Sequence, residues 1–107
     1  MAWLVRDDEV LATVEQARSR RERRRGLRGR GDYDGVLELR ARSVHTFGME
    51  FPIDVAFCDP DGTVRAVRTL PPGRVTRPRL RPTVAYEARA GTFREWGLRP
   101  GDVVEVR

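Results

Sequence analysis

Along most of the chain, apolar and polar residues alternate in short runs with the period of two that half-buried strands require. Residues 2–6 (AWLVR) and 10–14 (VLATV) flank the polar Asp7-Asp8-Glu9 and predict a hairpin. In 36–41 (VLELRA), Leu37, Leu39 and Ala41 fall on one face and Glu38 and Arg40 on the other. The run from Val44 to Met49 predicts a further short strand, with His45, Phe47 and Met49 sharing a face. Asp59-Pro60-Asp61-Gly62 has turn-forming residues in turn order and predicts a hairpin joining 53–58 (IDVAFC) to 63–70 (TVRAVRTL). Strands over 84–88 (VAYEA) and from Val103 to Val106 complete the set.

Helical signals are brief. Ser19-Arg20-Arg21-Glu22 has the form of a capping box, predicting a helix from Ser19 to about Arg28 that Gly29 and Gly31 would stop. Thr92-Phe93-Arg94-Glu95 predicts a second capping box and a helix ending at Gly97. Residues 69–82 hold four Pro and four Arg, which predicts a basic loop or edge segment. About seven to eight short strands with two short helices and no strand-helix alternation predict a mainly β fold. A small β-sandwich or partly open barrel fits better than a parallel sheet.

Composition narrows this reading. At 107 residues the chain suits one domain spanning 1–107. Hydrophobic residues make up 39% and charged residues 35%, so the core must be economical and the surface heavily charged. All 21 basic residues are Arg and none is Lys, a bias suggestive of GC-rich coding that weakens any argument from Arg number alone. The net charge of +5 divides into +4 over 1–31, −5 over 32–64 and +6 over 65–107, a pattern suited to contact with an anionic partner. A single cysteine, Cys58, allows no internal disulfide, and no stretch has signal-peptide or membrane-span character. The expectation is a monomer in the cytoplasm.

Several short elements recur in an order that resembles the domain of unknown function 192 family, also called uncharacterised protein family 0127. They are Arg21 or Arg23 with Gly26-Leu27 and Arg30; Phe47-Gly48-Met49; Pro52-Ile53-Asp54 with Asp61-Gly62; Glu87 with Ala90-Gly91; and Gly97 with Gly101-Asp102. The resemblance runs from about residue 12 to the C-terminus. Gly48 stands where many members carry Trp, and Glu50-Phe51 replaces a more polar stretch. The resemblance implies a compact β fold and no established reaction.

No Walker loop, GxSxG, HExxH, CxxC or GxGxxG occurs, and one Cys with one His cannot fill a tetrahedral metal shell without carboxylates, so neither metal nor cofactor is expected. A triad would have to use Ser43 beside His45, since Ser19 is taken by its cap. Asp54 falls in a strand with two apolar faces and needs hydrogen-bond donors, from backbone amides or from Arg30. With His45, Met49 and Glu87 it forms a candidate pocket. Arg20, Arg21, Arg24, Arg28, Arg77 and Arg79 form a candidate basic surface. Cys58 reads as a packed thiol, and Trp3 and Trp96 as core anchors.

Three functions compete. The preferred one is a noncatalytic domain that binds a small ligand or a partner protein. The second is a small enzyme with His45 and Asp54 as an acid–base pair, which must come within about 3 Å of each other or share one water. The third is nucleic-acid binding through the Arg-rich helix and the 69–82 loop, expected to be weak and non-specific because phosphate contacts carry no sequence information; against it, neither segment interleaves aromatic residues for base stacking.

Overall fold

The computed structural model describes residues 1–107. In chain order the elements are β1 (Ala2–Arg6), β2 (Glu9–Gln16), α1 (Arg20–Arg25), β3 (Val36–Arg40), β4 (Ile53–Cys58), β5 (Val64–Leu70), β6 (Val84–Arg89), α2 (Thr92–Glu95) and β7 (Glu105–Val106). All seven strands join one sheet in the order β5-β4-β6-β3-β2-β1-β7. Every pairing is antiparallel except β2 with β3, where the α1 connection carries the chain across to a parallel neighbour.

The sheet curls because its two edges meet the same segment. At the β5 edge the Val64 amide donates to the Asp102 carbonyl at 2.8 Å, and the Gly101 amide donates to the Val64 carbonyl at 2.9 Å. Residues 101–104 then run into β7, the opposite edge. Gly62 is required at this closure: a Cβ there would lie 2.0 Å from the Val104 carbonyl oxygen. A half-barrel results, so of the two predicted architectures the partly open barrel forms.

Strand alternation divides the apolar side chains between two cores. Inside the curl, Leu4, Val14, Val36, Ala56, Cys58, Tyr86 and Ala88 pack around Phe93 and Leu98, which come from α2 and the turn after it. On the outer face, Leu37, Leu39, Val55, Phe57 and Ala85 lie beneath Leu27, Val44 and Met49. Central β4 is buried at all six positions because both of its faces are covered. Trp96 packs on the inner core beside Phe93, with ring centroids 5.4 Å apart, whereas Trp3 is 41% exposed and anchors little.

Local details depart from the sequence reading for identifiable reasons. The first hairpin turns on Asp7 and Asp8, both at positive φ (51° and 63°), the conformation that matches strand twist in a two-residue turn. Ser19 does cap α1, accepting the Glu22 amide at 3.0 Å, but the helix ends at Gly26 rather than at Gly29 or Gly31. Val44 to Met49 is not a strand: only His45 pairs, with Val75, while buried Thr46 turns its hydroxyl to the 71–74 backbone. Thr92 does not cap α2. Gly91 occupies the N-cap without any side-chain bond of its own, because a carboxylate from β4 does the capping.

Candidate functional site

Neighbouring strands β4 and β6 each bury one carboxylate, and the pairing register sends the two to opposite faces. Asp54 pairs with Ala88 and shares the inner face; Glu87 pairs with Val55 and shares the outer one. Each carboxylate ties down one short helix. Asp54 Oδ2 accepts from the Gly91 and Phe93 amides, both at 3.0 Å, and Oδ1 from the Thr69 hydroxyl at 2.7 Å. The carboxylate thereby satisfies the Gly91 and Phe93 amides, which have no acceptor within the helix at the start of α2. Arg30, the other partner predicted for Asp54, instead pairs with Glu15 at 2.5 Å and lies over the Tyr33 ring.

Glu87 lies just beyond the C-terminal end of α1. Its Oε1 accepts the Leu27 amide at 3.2 Å, and the backbone of Gly26 comes so near that a Cβ there would sit 2.7 Å from this oxygen. Positive φ at Gly26 (53°) turns the chain down onto the carboxylate. Glu87 is 3% exposed, and no buried side-chain oxygen lacks a partner; Oε2, with no donor in the protein, therefore opens onto the adjoining cavity. Burial pushes its pKa up to about 7, opposed only by the Leu27 amide.

That cavity, about 210 Å³, is bounded by α1 and the 39–45 segment. Glu87 forms its buried wall, and Arg20, Arg23, Arg24 and Arg40 surround it together with Ser43 and His45. None of the four arginines is ion-paired. His45 is exposed, stacks on Phe47 with centroids 5.2 Å apart, and accepts the Phe47 amide on Nδ1 at 3.3 Å. No hydrogen bond links Ser43, His45 and Glu87, so no nucleophile–base relay is assembled. No three side chains among His, Cys, Asp and Glu converge as a metal site would need.

The structure thus brings His45 and Glu87 into one cavity and leaves the rest of the predicted pocket elsewhere. Met49 packs in the outer core, and Asp54 lines a separate, broad depression near α2. Arg20 and Arg24 join the cavity, but Arg21 does not. Arg28 also lies outside it, packing its aliphatic stem against Gly48, and Arg77 and Arg79 line another groove. Sequence reasoning missed Arg23 and Arg40. The spacing of Arg20, Arg23 and Arg24 at i, i+3 and i+4 marks a single helix face and would have chosen Arg23 over Arg21.

Elements far apart in the sequence meet pairwise here: Gly26-Leu27 with Glu87, Asp54 with Gly91, and Asp61-Gly62 with 101–104. A family model, DUF192 (uncharacterized ACR), matches residues 2–106. The chain belongs to the DUF192 family. Its fold is similar to a crystal structure of a protein of unknown function from Novosphingobium aromaticivorans, with TM-score 0.81, 22% identity, and coverage of 97% of this chain and 82% of that one. It is also similar to a protein of Sinorhizobium meliloti described as a "putative transcription regulator", with TM-score 0.77, 26% identity, and coverage of 98% and 91%. No curated protein matches the chain. This DUF192 protein thus comes from a family of unknown function, and no helix in it is long and apolar enough to cross a membrane.

Proposed function

We propose that this DUF192 protein is a noncatalytic binding domain that takes a small anionic ligand in the cavity beside α1. The carrying observation is four arginines without ion-pair partners around a cavity whose one acidic group, Glu87, is buried and half-satisfied. Guanidinium groups supply charge-assisted bonds to a carboxylate or phosphate. Glu87 Oε2 offers an acceptor to a hydroxyl or ammonium on the same ligand. A ligand carrying both groups would complete the site, and an ammonium would draw Glu87 into its ionised form.

The acid–base reading for His45 and Asp54 lacks support, since these two line different cavities. Specific nucleic-acid recognition has little behind it beyond the description of the Sinorhizobium relative: the six residues of α1 span only about 9 Å. Its arginines suit sequence-independent phosphate contact. A monomer working in the cytoplasm fits the buried, unpaired Cys58.

Isothermal titration calorimetry with citrate, inorganic phosphate and glutamate tests the proposal. At least one should bind, and Arg23→Glu combined with Arg24→Glu should weaken it by about tenfold or more. Equal affinity in that variant, or no binding by any of the three, would overturn the assignment.

A further inference from the structure

A second concavity, about 590 Å³, lies between β5 and the 71–80 loop, away from α1. Its walls combine apolar and cationic side chains, among them Leu70, Val75 and Leu80 with Arg68, Arg74 and Arg77. Val75 is 61% exposed and Leu80 95%, so hydrophobic surface stands open to water beside unpaired guanidinium groups. From Gly62 to Tyr86 the chain has no Asp or Glu and six Arg, of which only Arg65 forms an ion pair, with Asp59.

The loop is held in place. Buried Thr46 accepts the Arg74 amide at 2.8 Å on its hydroxyl, which donates to the Pro71 carbonyl at 2.6 Å; its own amide donates to the Arg74 carbonyl at 2.7 Å. The Thr76 amide donates to Val44, and the Arg79 amide to Arg42. Across the groove, β5 is an edge strand that pairs only with β4, and beyond Val64 its backbone bonds to no backbone outside the sheet; the Val67 carbonyl accepts from the Arg68 guanidinium, at 3.0 Å. An edge left open in this way is a template for an added extended segment.

We infer that this groove is a docking site for an extended acidic segment of a partner protein, one alternating apolar residues with Asp or Glu. Apolar side chains of such a segment cover Val75 and Leu80 while its carboxylates meet Arg68, Arg74 and Arg77. A nucleic-acid strand fits less well: Phe57, the only aromatic lining residue, is 2% exposed beneath the Arg79 guanidinium and offers no face for base stacking.

The test is fluorescence anisotropy on the full chain with a fluorescein-labelled peptide, Val-Glu-Val-Asp-Val-Glu-Val. This peptide should bind. Replacing its acids with Lys should abolish binding, and replacing its Val with Ser should weaken binding by about tenfold. Arg68→Glu with Arg77→Glu should cost about tenfold or more, and Leu80→Ser about threefold; all three positions are exposed, and unchanged melting would show the fold intact. Arg23→Glu with Arg24→Glu, which disables the proposed anion cavity, should leave peptide binding unchanged. Four results would overturn the inference: no peptide binding, equal binding of the Ser peptide, equal or tighter binding of oligothymidylate, or self-association in sedimentation that Arg77→Glu abolishes. The last would make a second copy of this chain the occupant.

Discussion

Replacing Glu87 with Gln should make the protein more stable above neutral pH and remove much of its pH dependence between about pH 4.5 and 7. The carboxyl is 3% exposed, and burial raises its pKa from the ordinary 4.5 to about 7. Below 4.5 the folded and unfolded chains both carry the proton, and the group has no effect. Between 4.5 and about 7 the unfolded chain ionises while the folded one stays neutral, so the unfolded state binds fewer protons and stability falls as pH rises. Each pH unit in that window costs ~1.4 kcal/mol, and the full loss by pH 8 is about 3 kcal/mol. Gln keeps an oxygen for the Leu27 amide and can place its NH2 where Oε2 now opens onto the cavity, so it reproduces the neutral acid without ionising. Urea unfolding at a series of pH values from 4 to 9 reads the effect. A gain of 3 kcal/mol moves the midpoint by about 1–3 M for slopes of about 1–3 kcal/mol/M. Parallel curves for the two proteins, or a Gln variant less stable at pH 8, would refute the claim that burial of Glu87 sets this dependence.

Asp54→Ala leaves the Gly91 and Phe93 amides and the Thr69 hydroxyl without their acceptor and should cost about 3 kcal/mol or more; Asp54→Asn keeps one oxygen for the amides and should cost about 1–2. Denaturant midpoints for the two variants check the order, and equal losses would mean that the hydrogen bonds do not carry the effect. Burial pushes the Cys58 thiol up to about 12, so iodoacetamide at pH 7.5 should modify it only as fast as the protein unfolds, and Cys58→Val should leave ligand and peptide binding intact. Mass spectrometry of rapid labelling in native buffer would contradict this.

Local features were legible in the sequence because neighbours in the chain settle them. Alternation marked six of the seven strands nearly in place, the Asp59-Gly62 turn forms its hairpin, and Ser19 caps α1 through a residue three positions away. Where a short pattern misled, a partner distant in sequence had overruled it. Val44 to Met49 alternates like a strand, yet Thr46 is spent on holding residues 71–74, and Thr92 yields the cap of α2 to Asp54, thirty-nine residues from the Phe93 amide it accepts. Period-two reasoning placed Asp54 in a buried strand, but the sequence carried no sign that Glu87 would turn to the other face. That depends on the β4–β6 register, which pairs Asp54 with Ala88 and Val55 with Glu87. The cavity follows from the same register: it brings Glu87 beneath the Leu27 amide, sixty residues away, and sets the Arg20, Arg23 and Arg24 face of α1 over a carboxylate that helical spacing alone could not locate. Chain-local hydrogen bonds and side-chain period are encoded residue by residue, whereas strand register is decided only when the whole sheet closes and each face must be buried at once.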